Sequence, residues 1–128
     1  MTLIGARLER VEPGLAEVAL PWRPEIGQQH GFAHAGILAT ALDSACGYAG
    51  LSLMSADAGV LTIEFKLNLL APGAGVEFRM IGQVRKAGRT ISVAEGEAWA
   101  IGADGTRKLV ATMTATLMAV RDRAGVRD

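Results

Sequence analysis

The hydrophobic and polar positions of this chain change rhythm twice. Thr2 to Val11 and Leu15 to Trp22 mix charge and hydrophobe around Glu12-Pro13-Gly14, which predicts two strands joined by a turn. From Val60 to Leu70, Leu61, Ile63, Phe65, Leu67 and Leu69 alternate with Thr62, Glu64, Lys66 and Asn68. A period of two held that long predicts a strand with one buried face. Ala71-Pro72-Gly73 turns the chain, and Val76, Phe78, Met80 and Val84 then share a parity against Glu77, Arg79 and Gln83. Lys86-Ala87-Gly88-Arg89 and Asp104-Gly105 read as hairpin tips. The last strand, Leu109 to Val120, sets Leu109, Ala111, Met113, Ala115, Leu117 and Ala119 against Lys108, Thr112, Thr114 and Thr116. Between the two tips, Thr90 to Ile101 carries a face of small residues, Ser92, Ala94, Gly96, Ala98 and Ala100, which admits the close approach of a helix or a second subunit.

Between these strand regions the period lengthens. Ala35 to Met54 places Ile37, Leu38, Ala41, Leu42, Ala45, Cys46, Ala49 and Leu53 on a broad helical stripe, and most remaining positions are Ala, Gly, Ser or Thr. A helix apolar nearly all round is buried nearly all round. One buried helix with four consecutive antiparallel strands after it predicts an α+β domain, a curved sheet wrapped around a central helix. Residues 1–128 read as one domain, with the charged tail from Arg121 to Asp128 frayed. The open edges of such a sheet predict association into at least a dimer, edge to edge.

Charge sharpens this picture at one place. Thirteen basic and thirteen acidic residues cancel, so no global field draws the chain to nucleic acid or an anionic membrane. Yet of the 31 residues between Glu25 and Asp57 only Asp43 is charged, where a charged fraction of 20% predicts about six. A membrane span is not expected, because His34, Thr40, Asp43, four glycines and three serines interrupt Gly31 to Ala56. The first ten residues lack the apolar core of a secretory signal. With a single cysteine, which excludes an internal disulfide, the chain reads as cytoplasmic.

Asp43 on a buried helix is functional, paired with a cation from elsewhere in the chain, placed on a solvent-facing sliver or capping a backbone donor, since an unpaired buried charge costs several kcal/mol, roughly. His30 and His34 are four apart but precede the helix and have no third ligand nearby, so no metal site is expected. Cys46 in an alanine-rich helix reads as core, and Ser44 lacks a nucleophile elbow. His34-Ala35-Gly36 opens the helix. Free N–H groups of a first turn can bind a carbonyl oxygen that gains negative charge, and with a carboxylate this suggests acyl transfer. Asp43 lies about two and a half turns farther on, so the two meet only if substrate runs along the helix or another chain completes the pocket.

The run from Gln28 to Ala45 (QQHGFAHAGILATALDSA) resembles the signature of hotdog-fold acyl-CoA thioesterases of the phenylacetic-acid-degradation (PaaI-like) type. Gly31, His34 and Gly36 match, Asp43 falls nine after the histidine, and the likeness continues through Leu61 to Pro72, the Lys86–Thr90 hairpin and the last strand. The resemblance implies a hotdog fold and hydrolysis of a small or aromatic acyl-CoA without a metal or redox cofactor. It implies Asp43 as nucleophile or general base and Gln28 as the residue orienting water or thioester. The Ala35 N–H would be the oxyanion donor, His34 would hold the turn, and Thr62 would reach in from a partner subunit. Arg85, Lys86 and Arg89 would bind the nucleotide of CoA, and a homodimer would assemble into a homotetramer. Ala35 replaces the first glycine of the family's usual pair and keeps its N–H. Two other readings stand beside this one: an acyl-thioester hydratase or dehydratase on the same fold, and a non-catalytic acyl-CoA-binding protein.

Overall fold

A computed structural model describes residues 1–28 and 31–121. Six strands form one antiparallel sheet: β1 (Arg7–Glu12), β2 (Leu15–Pro21), β3 (Ala58–Leu69), β4 (Glu77–Lys86), β5 (Ile91–Ile101) and β6 (Arg107–Arg121). The helix α1 (Ala35–Leu51) packs against β2, β4, β5, β3 and β6, so the sheet wraps it as the periodicity predicts. None of the described helices is long and apolar enough to cross a membrane.

The small face of β5 is what brings helix and sheet together. Ser92, Ala94, Gly96, Ala98 and Ala100 are all buried. A Cβ on Gly96 would stand 3.1 Å from both the Cys46 Sγ and a Leu42 methyl carbon. Next to it in register, Gly82 of β4 lies under the helix backbone, where a Cβ would stand 2.5 Å from the carbonyl of Ala45. The close approach expected of these small residues is therefore made by the helix. Leu38 and Leu42 then reach a core of Leu20, Phe78, Met80, Met113 and Leu117, each fully or almost fully buried. Each such side chain contributes roughly 1.5–3 kcal/mol relative to an exposed one.

Several expectations are corrected. Residues Thr2–Ile4 form a 3-10 turn closed by Gly5 at φ 79°, so the first strand starts at Arg7 rather than Thr2. The helix stops at Leu51, short of Met54; Ser52 ends it by donating to the Ala49 carbonyl and accepting from the Gly14 N–H. The sheet order is β1-β2-β4-β5-β6-β3, so β3 does not pair with β4 across the Ala71-Pro72-Gly73 turn. Instead Leu70 and Ala71 donate to Val110, and the chain crosses the sheet end until Val76 donates to Ile101. Arg121 belongs to β6 and not to a tail, pairing with Ala58 and donating to Ser55 and Arg89; residues 122–128 lie outside the described residues.

The largest correction is in β3. Its register against β6 slips between Thr62 and Glu64. Before the slip Val60 and Thr62 oppose the buried Ala119 and Leu117; after it Phe65, Leu67 and Leu69 oppose the buried Ala115, Met113 and Ala111. One inserted residue reverses the parity. The run from Leu61 to Leu69 therefore does not share one face, and Thr62, polar by pattern, points to the concave side. Nor is the strand buried within one chain: Leu61, Ile63, Phe65 and Leu69 are 46–55% exposed.

Candidate functional site

The helix start is built by its backbone. Gln28 donates its N–H to Phe32 and accepts from Gly31, Gly27 bridges Ala33, and His34 donates to Ile26. Ala33 donates to Gly73, which ties this loop to the connection between β3 and β4. Gly31, at φ 80°, takes the left-handed conformation this turn needs. The His34 carbonyl accepts from Ile37 and Leu38, so the turn is held by its main chain. Its imidazole makes no capping hydrogen bond and is exposed. His30, considered as a metal ligand, lies outside the described residues, and those described contain no cluster of three metal-binding side chains.

This leaves the first turn with open donors. Neither the Ala35 nor the Gly36 N–H has a partner among the described residues, and no side chain caps the helix. Ala35 has helical backbone, in which alanine sits without strain, so its replacement of glycine does not remove the donor. A Cβ on Gly36 would meet nothing within 4 Å.

Asp43 lies on the same helix, half-buried, and the Thr62 hydroxyl donates to its Oδ1 at 2.7 Å. The slip in β3 makes this contact possible, and it is made within one chain. No cation pairs with Asp43 among the described residues. Beside it opens a cleft of about 450 Å³ lined by Ser44, Gly47, Tyr48, Leu51, Val60 and Thr62. The sequence reading did not single out Gly47, Tyr48, Leu51 or Val60. Their signal was the spacing of Asp43, Gly47 and Leu51, one helical turn apart on one face. Cys46, on a neighbouring face, is fully buried; burial above all, helped by the charges of Asp43 and Glu95, pushes its thiol up to about 12. It is a core residue and not a nucleophile.

The predicted residues thus fall into separate groups. Gln28, His34, Ala35 and Gly36 gather at the helix start, while Asp43 and Thr62 meet along its middle. Eight residues of helix separate Ala35 from Asp43, roughly 12 Å. Arg85, Lys86 and Arg89 lie around the β4–β5 turn, exposed. Arg85 pairs with Glu95 at 3.1 Å, whereas the side chains of Lys86 and Arg89 have no partner among the described residues.

The sequence profile of the thioesterase superfamily matches residues 30–104. A crystal structure of a thioesterase family protein from Silicibacter pomeroyi superposes with a TM-score of 0.92 at 50% identity, covering 94% of this chain and 88% of that one. A Bacillus halodurans protein crystallised with CoA superposes with a TM-score of 0.74 at 27% identity, covering 81% and 66%. A Saccharolobus solfataricus protein named as an esterase is 33% identical over 94 residues, 73% of this chain; the match spans 66% of that relative's length.

Proposed function

The chain belongs to the thioesterase superfamily, a family of thioester hydrolases, and we propose that it hydrolyses a small or aromatic acyl-CoA to free acid and CoA in a site shared by two copies of itself. One observation carries this reading: the open donors of Ala35 and Gly36 and the carboxylate of Asp43 stand at different stations of one helix. Donors must lie about 3 Å from the developing oxyanion, and the attacking oxygen about as close to the same carbonyl carbon. A gap of roughly 12 Å along the helix is too wide for one thioester group. A two-fold pair of chains supplies each Asp43 with the helix start of the partner subunit and generates two equal sites.

The edge strand β3 supports that pairing. It stands at the edge of the sheet and exposes Leu61, Ile63, Phe65 and Leu69, with Thr62 of the site in the same strand. In the shared site the Ala35 N–H polarises the thioester carbonyl, and Gln28 beside it orients water or thioester. Thr62 holds one Asp43 oxygen and leaves the other to act. Asp43 either attacks the carbonyl carbon, expelling the thiolate and leaving an anhydride that water opens, or takes a proton from the attacking water. Neither route uses a metal or redox cofactor. Lys86 and Arg89, whose side chains have no partner among the described residues, supply positive charge for the phosphates of CoA, and the CoA bound to the Bacillus halodurans relative supports that class of substrate.

Thiol release from a panel of acyl-CoAs tests the activity. Asp43→Asn is expected to lower it by about 10³-fold with acyl-CoA binding retained. Binding without release by the wild type would favour the acyl-CoA-binding reading, and hydration of an enoyl-CoA without thiol release would favour the hydratase.

A further inference from the structure

Helix α1 has glycines at 36, 47 and 50, and they stand in unlike surroundings. A Cβ on Gly50 would fall 2.5 Å from the Leu117 Cδ1, so a side chain there requires Leu117 to shift. Gly47 is also buried, yet a Cβ on it would meet only the Val60 Cγ1, at an ordinary 3.9 Å. It has no left-handed backbone to maintain. Alanine would fit, and in a helix interior it is the more stabilising residue. What glycine preserves at this position is empty space, and that space belongs to the cleft of about 450 Å³ beside Asp43.

We infer that Gly47 sets the size of acyl group this chain accepts. The inference rests on the reading of Asp43 as the catalytic carboxylate. Gly47 follows Asp43 by one helical turn on the same face, and Leu51 follows by a second. Val60 and Thr62 of β3 form the opposite wall, and Tyr48 borders the same space with a hydroxyl that has no hydrogen-bond partner among the described residues. Beyond the Asp43–Thr62 end the cleft is lined by Gly47, Leu51, Val60 and Tyr48. A thioester attacked at the Asp43–Thr62 end directs its acyl chain along the helix and over Gly47. The volume is within the range of small-ligand pockets. A Cβ at position 47 comes within 4 Å of neither the Asp43 nor the Thr62 side chain.

The test uses Gly47→Ala and Gly47→Leu in the full chain, assayed with acetyl-CoA and with the largest acyl-CoA the wild type hydrolyses. The ratio of kcat/KM, large acyl over acetyl, is expected to fall about tenfold or more in Gly47→Ala, since one methylene in a tight pocket is worth at least that. It should fall further in Gly47→Leu, while Tm in Gly47→Ala stays level or rises. A thermal gain together with a narrowed acyl range has no explanation in damage to the fold. An unchanged ratio, or a lowered Tm in Gly47→Ala, would overturn the inference. Asp43→Asn is run in parallel: if it leaves thiol release intact the reading of the site fails, whereas loss of release with an unchanged acyl ratio condemns only the role of Gly47.

Discussion

The first turn and the middle of helix α1 are opposite in chemistry. The first turn has donors without a carboxylate: two N–H groups with no partner among the described residues and no capping side chain. The middle has a carboxylate that accepts from Thr62, on turns whose backbone N–H groups are spent within the helix, beside a cleft. Helix geometry keeps these stations roughly 12 Å apart in any one chain, because the rise per residue is fixed. Neither half-site is sufficient for acyl transfer, and what each lacks the other holds. The two exposed edges of the sheet differ in a related way. Four of the six β1 residues are charged, Arg7, Glu9, Arg10 and Glu12, which discourages edge pairing. In twelve residues β3 has only Glu64 and Lys66, and it is the strand that carries Thr62.

Substitutions can take the halves away one at a time. The largest effect beyond Asp43→Asn is expected from Ala35→Pro. Proline is well accepted at the first helical position, and His34, at φ −63° and ψ 137°, already has the extended backbone a following proline requires. The substitution deletes one N–H and little else, so thiol release should fall about 10²-fold with Tm nearly unchanged. Next is the contrast of edges. Ile63→Lys in β3 should shift the sedimenting species to monomer and reduce activity in step, while Leu8→Lys in β1 should alter neither. Thr62→Val should cost about tenfold in kcat, the worth of a hydrogen bond to a charged group, with Thr62→Ser restoring most of it. Cys46 should matter least. With its thiol raised from 9.0 to about 12, it should resist alkylation in the native protein at pH 8. A raised acid favours the folded state below its unfolded pKa, so this contribution is lost as pH climbs from about 9 towards 12, visible as falling Tm.

Much of this arrangement was legible in the residues. The small face of β5 announced a close neighbour, a helix or a second subunit, and in the structure the helix takes that place over Gly96 and the adjacent Gly82. Asp43 stood out by charge alone. The β3 slip was not legible: an inserted residue leaves the local alternation intact and changes only its phase against a strand some fifty residues away, as Glu64 opposite Thr116 shows. That phase puts Thr62 on Asp43. The order β6-β3 was hidden for the same reason, since the turn at Pro72 looks alike whether the next strand is a neighbour or lies across the sheet. Gly47 was concealed by its company, one small residue among many in an alanine-rich helix.

The shared site is tested most directly by combining two inactive chains. Asp43→Asn and Ala35→Pro, co-expressed and purified together through different tags, form mixed dimers in which one site draws Asp43 from one chain and the Ala35 N–H from the other, both native. Each dimer that carries both tags holds one working site of two, so about half of wild-type thiol release should return. Activity no greater than the sum of the two variants alone would contradict a site assembled from two helices.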